Sequence, residues 1–199
     1  MSESRTERAA RSEPRHLPRG PWIIDTRDLA RQPGASRHYH RTPKLDNELG
    51  LADVIRIPVG SEVDIDVLCE SAGEGVWVSG TATTDAVGEC ARCLEPLTEQ
   101  VRVEVSELFA YPDSITEATT DTDEVSRLMD DLIDLEPTVR DAIVLALPPA
   151  PLCTPDCQGL CVDCGRKWAE LGPDHRHERM DPRWAALRER FGGSGENPA

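Results

Sequence analysis

The sequence predicts an α+β protein: a small antiparallel sheet or partly closed barrel packed by a helix, with a C-terminal zinc-knuckle segment and a disordered N-terminal tail. Three features predict it. Strand-like alternation runs from Val54 to Tyr111, one helical stripe follows Pro137, and four closely spaced cysteines come after that.

The strands read as follows. Val63, Ile65 and Val67 alternate with Glu62, Asp64 and Asp66, the two-residue period of a half-buried strand. Val76 and Val78 flank Trp77 and open a second strand that runs on through SGTATTDAVGEC, after a turn supplied by Ser71, Gly73 and Gly75. Val101, Val103 and Val105 face one way in a third strand, with its preceding turn marked by Pro96, Thr98 and Glu99. Short connections between successive strands favour antiparallel pairing. Upstream, Trp22 to Ala30 suits a strand and a short helical turn, and residues 31–43, polar and basic, read as loop.

Residues 112–136 are acidic, beginning as loop or disorder, and LMDDLIDL is either a short strand or a helical turn. Pro137 suits the first position of a helix. Val139, Ala142, Ile143 and Ala146 make one apolar face, and Pro148 and Pro149 end it. A further helix is expected from Pro182 to Phe191. The resulting division is a basic disordered tail at 1–20, an α+β domain at 21–150, a cysteine-rich zinc-binding segment with its terminal helix at 151–191, and a frayed tail at 192–199.

Composition narrows the function. Hydrophobic residues make up 38% and aromatics 4%, so the core is lean and aliphatic. A formal charge of -15 repels phosphate, which disfavours broad sequence-blind binding to nucleic acid and suits a basic protein partner; the same charge also serves plain solubility. No apolar run approaches the ~20 residues of a membrane helix. The N-terminus lacks the apolar stretch of a signal peptide. A cytoplasmic location follows as the expectation, with seven cysteines reduced, metal-bound or redox-active.

Cys153, Cys157, Cys161 and Cys164 lie at C-x3-C-x3-C-x2-C spacing. Zinc takes four soft donors in a tetrahedron, and two close pairs supply them. Gly165, directly after Cys164, permits the positive φ that a knuckle turn requires. Four thiolates leave no coordination position for water, so the zinc is expected to be structural and the protein not an enzyme. His175 and His177 are alternative ligands, part of a recognition surface, or solvated. Cys90 and Cys93 form a second pair, half of a zinc site. The pair either shares in the first site, completes one with a partner, or forms a partner-facing loop with Arg92 exposed. A thiol-redox role for it lacks the usual strand-to-helix context. Cys69 reads as core filler. The sequence holds no nucleophile elbow, phosphate-binding glycine loop or H-E-x-x-H.

GECARCLEPLTEQV followed by SELF, then DLIDLEPTVRDAIVLALP, PLCTPDCQGLCVDCGRKW and DPRWAALRE, in that order, resemble the YceD-like family of large-ribosomal-RNA-subunit accumulation proteins. The resemblance covers about Trp22 to Phe191. It implies a role in accumulation or processing of 23S rRNA, and a gene commonly beside that of a small zinc-type ribosomal protein of the large subunit. It places the family's cysteine motifs on Cys90, Cys93, Cys153, Cys157, Cys161 and Cys164. Many relatives carry a further C-x-C after the knuckle, where this chain has His175 and His177. The expected activity is that of a non-catalytic factor binding a large-subunit ribosomal protein, a 23S rRNA precursor, or both, with no membrane and no small-molecule substrate. The rival readings are a thiol redox enzyme using Cys90 and Cys93, and a zinc-ribbon nucleic-acid-binding regulator.

Overall fold

The computed structural model describes residues 20–29, 31–112, 114–121, 125–177, 182–184 and 190. Its frame is one long hairpin. Strand β6 (Gly75–Glu89) pairs antiparallel with β7 (Pro96–Ala110) without a break, from Gly75↔Ala110 to Glu89↔Pro96. On its other edge β6 carries β5 (Asp64–Ser71) and, nearer the hairpin turn, β4 (Ile55–Ile57). Beyond these lie β2 (Ser36–Arg41) against β5 and β3 (Leu49–Leu51) against β4, which completes a six-stranded antiparallel sheet. Strand β1 (Ile23–Asp25) pairs with β8 (Leu132–Asp134) in a separate two-stranded sheet.

Alternation determines which face is buried. Val63, Ile65, Val67, Val76, Val78, Val101, Val103 and Val105 are all buried, while Asp64 and Asp66 stand in solvent. Helix α2 (Glu136–Ala146) begins with proline in its first turn and packs Val139 and Ile143 into the same core. The fold class is therefore as the sequence indicates, but among the described residues the ladder remains open and no barrel closes. A short helix, α1 (Ile115–Thr119), follows the hairpin; the Glu74 carboxylate accepts its Ile115 and Thr116 N–H groups.

Two local readings change and one left open is settled. Residues 31–43 are not simply loop, because β2 forms within them and pairs along its whole length with β5. Only Tyr39 of β2 is buried, so an edge strand with one inward side chain shows no apolar period. Arg37 and Arg41 lie over the Tyr39 ring, and His38 and His40 pair across the ladder with Asp66 and Asp64. LMDDLIDL resolves as strand: Asp130 and Asp131 turn the chain with positive φ, Met129 bridges Leu132, and β8 follows. The turn of the long hairpin lies at residues 90–95, ahead of Pro96, Thr98 and Glu99, which are already paired in β7. The expected N-terminal and C-terminal tails, and most of the helix expected from Pro182 to Phe191, lie outside the described residues; Pro182–Trp184 form a 3-10 turn.

Two tests follow from this core. Ile143→Ala, at a fully buried position, is expected to cost about 2–5 kcal/mol in urea denaturation, whereas Leu145→Ala on the exposed side of α2 should stay within about 0.5 kcal/mol. Cys69 is fully buried and burial pushes its thiol up to about 12, so it remains protonated and should resist alkylation at pH 8 in the native chain and react once guanidinium unfolds it.

Candidate metal centre

The hairpin turn is built around sulfur. Cys90 follows directly on β6, and the chain makes a tight loop through Ala91, Arg92 and Cys93. The Leu94 N–H donates to the Cys90 carbonyl at 2.9 Å, and the Cys90 N–H donates to the Glu95 carbonyl at 2.8 Å. Leu94 takes φ 59° to make the loop close. The same device recurs at Cys161. The Gly165 N–H donates to the Cys161 carbonyl at 2.8 Å, the Cys161 N–H donates to the Arg166 carbonyl at 2.7 Å, and Gly165 takes φ 69°. Cys90 and Cys161 thus open two C-x-x-C turns with identical hydrogen-bond registers, one with leucine and one with glycine at the left-handed position.

The turns also prepare thiolates in the same way. Backbone N–H groups pull the first thiol of each turn below its ordinary range. For Cys90, lowered to about 6, the Cys153 N–H acts most strongly, with those of Arg92 and Cys93 adding to it. For Cys161 the N–H groups of Cys164 and Asp163 act. A sulfur that accepts several N–H bonds is stabilised as the anion that binds metal.

Each turn supplies half of a four-donor group. Cys90 and Cys93 meet Cys153 and Cys157, whereas Cys161 and Cys164 meet His175 and His177; within each group the donor atoms all lie within 4.8 Å of one another. The Cys90 and Cys157 sulfurs are 3.8 Å apart, and those of Cys93 and Cys153 3.6 Å. In the second group Cys164 Sγ is 3.6 Å from His175 Nε2, which is 2.8 Å from His177 Nε2. A tetrahedral ion about 2.3 Å from each sulfur sets sulfurs about 3.8 Å apart, so the first group has the span of one such ion. Both groups can hold a metal ion.

This corrects the grouping expected from spacing. Cys153, Cys157, Cys161 and Cys164 do not share one centre, because the chain turns between the second and third. Gly159, at φ 77°, makes that turn against the hairpin loop, where an added Cβ would lie 2.9 Å from the Arg92 carbonyl oxygen. The Arg92 guanidinium donates to the Cys157 carbonyl, the Ala91 N–H to the Pro151 carbonyl, and Lys167 pairs with Glu95. Residues 151–168 are thereby laid across the end of the sheet. Arg92 is exposed as expected, yet its charge is spent in part on this contact. The histidines, which the sequence leaves as alternative ligands, recognition surface or solvated side chains, converge on the second group. Spacing alone points to one four-sulfur centre and carries neither pairing. The signal available was the count: two knuckle-like pairs need two complementary pairs, and the chain offers them in order.

The turn geometry sets a graded test. Gly165→Ala meets open space and should cost about 1–2 kcal/mol for the left-handed backbone alone. Gly159→Ala adds a clash with backbone and should cost more, read from chemical denaturation of the two variants side by side.

Comparison with known proteins gives the frame for these centres. A sequence profile described as "Large ribosomal RNA subunit accumulation protein YceD" matches residues 78–189, which includes both groups. An uncharacterized protein of Mycobacterium tuberculosis is 49% identical over 172 residues, covering 86% of this chain and 82% of its own length. One of Mycobacterium leprae is 41% identical over 173 residues, covering 87% and 78%. The uncharacterized protein YlbN of Bacillus subtilis is 26% identical over 171 residues, covering 83% and 93%. No solved structure matches the chain. With more than half of its length under the profile and these relatives aligned along most of the rest, the chain belongs to the YceD family of large ribosomal RNA subunit accumulation proteins.

Proposed function

We propose that this protein is a non-catalytic cytoplasmic factor in large ribosomal subunit biogenesis. It promotes accumulation of 23S rRNA by binding a large-subunit ribosomal protein, an rRNA precursor, or both. Family membership is the observation that carries this reading, since the family is described by its effect on large-subunit rRNA. The metal at the cysteine-rich end is structural zinc, which supplies folding free energy to a segment with little core of its own.

The distribution of charge favours a protein client. The chain carries -15, and two basic residues beside the centres, Arg92 and Lys167, already serve the Cys157 carbonyl and Glu95. Arg166 and Arg176 are left to face a phosphate. The same end exposes Leu94, Val162 and Trp168, apolar side chains whose burial would reward a docking partner. Among the described residues no helix is long and apolar enough to cross a membrane.

One observation favours a second reading. A Cys90 thiol lowered to about 6, beside Cys93, Cys153 and Cys157, has the reactivity of a thiol–disulfide exchange site when no metal holds it. Disulfide-exchange activity of the purified chain, abolished by Cys90→Ser with Cys93→Ser, would establish that reading. A zinc-ribbon regulator of nucleic acid has no comparable support.

Depletion of the protein is expected to lower mature 23S rRNA and 50S particles in sucrose gradients; an unchanged profile overturns the assembly role. Leu94→Glu with Val162→Glu should leave the fold intact by circular dichroism and reduce retention of large-subunit components in a tagged pull-down at least tenfold, about 1.4 kcal/mol.

A further inference from the structure

We infer that the chain binds two zinc ions at separate centres with different tasks: an all-thiolate centre of Cys90, Cys93, Cys153 and Cys157 that staples the C-terminal segment to the sheet, and a mixed centre of Cys161, Cys164, His175 and His177 that closes that segment on itself. The inference rests on geometry and not on the assembly role.

Pairing is the first argument. The donor groups are disjoint and complete, with four soft or borderline donors each and none shared. Each combines one C-x-x-C turn of identical hydrogen-bond register with a second pair from the chain that follows. Across the two groups, five sulfurs and one imidazole lie 3.6–3.8 Å from a neighbour, the length of a tetrahedron's edge around one ion in each. The two imidazole nitrogens are closer, at 2.8 Å, the length of an N–H···N hydrogen bond; an ion seated between them parts them by about half an ångström. The spacing also bears on the metal. A polynuclear iron–sulfur cluster holds its cysteines apart by its own bulk, whereas these sulfurs are in mutual contact. Tetrahedral S4 and S2N2 sets of this span suit zinc.

Connectivity is the second argument, and it separates the tasks. The first centre joins residues 60–67 positions apart, the hairpin loop to the segment after α2. The second joins residues 11 positions apart at Cys164 and His175, all within the segment. Loss of the first ion therefore detaches the segment. Loss of the second unravels only its distal part, and leaves the Ala91–Pro151, Arg92–Cys157 and Lys167–Glu95 contacts in place. Burial agrees with this division. Two of the four ligands are buried in the first centre, one in the second.

The test is zinc content by mass spectrometry of the full chain, purified from cells with zinc in the medium. Two zinc ions per chain are expected. His175→Ala with His177→Ala should retain one ion, an unchanged far-ultraviolet circular dichroism spectrum and protection from protease at residues 151–160. Cys153→Ser with Cys157→Ser should expose that stretch to protease. Because the second variant risks misfolding, cobalt(II) replacement in the full chain provides an independent reading: two tetrahedral ions, with the histidine variant keeping the stronger thiolate charge-transfer bands of an S4 site. One zinc per chain, iron in its place, no metal, or loss of both ions from the histidine variant overturns the inference. Two ions in a chain whose depletion leaves 50S particles unchanged would uphold it while removing the assembly role.

Discussion

Fifteen residues of β6 run antiparallel to fifteen of β7, and this uninterrupted ladder governs where everything else can be. One end of the hairpin, at Gly75 and Ala110, is where the chain departs toward α1 and β8. The other end is the Cys90–Cys93 loop. A stiff, fully paired ladder fixes that loop at the edge of the sheet, so the segment after α2 meets a prepared half-site when it arrives. β5 and β4 share the opposite edge of β6, and the valines alternating along both hairpin strands provide the core on which α2 settles.

Much of this was legible because burial is periodic. Val63, Ile65 and Val67, like Val101, Val103 and Val105, show the two-residue period that only a half-buried strand needs, and Val139 with Ile143 shows the helical one. The elements that escaped have short or one-sided burial. β2 buries one ring, Tyr39, and keeps polar side chains elsewhere, while β3 and β4 are three residues each. Their position depends on the edge of a long neighbour, and no local pattern carries that information.

The site was legible in its chemistry and not in its pairing. Six cysteines in pairs announce soft-metal ligation, but spacing within residues 153–164 makes a single four-sulfur centre look self-sufficient. What divides it is a distant partner, the hairpin loop, together with the backward turn at Gly159 beneath Arg92. The kinship of the two knuckles was hidden by one residue. Gly165 marks the second turn openly, whereas Leu94 adopts the same left-handed conformation with a side chain that no rule of turn composition selects.

The pairing of β1 with β8 has a bearing on how the chain comes to be folded at all. Thr26 donates its hydroxyl proton to the carbonyl of Asp131, 105 residues later, and Leu135 returns its N–H to Trp22. The Tyr39 hydroxyl reaches the Asp25 carbonyl from nearby, but β1 gains its strand partner only when β8 has been made, after every strand of the large sheet. The closure of so large a loop is entropically slow. Trp22 and Ile24, apolar and bound for the interior, therefore gain their lasting cover only once that loop has closed.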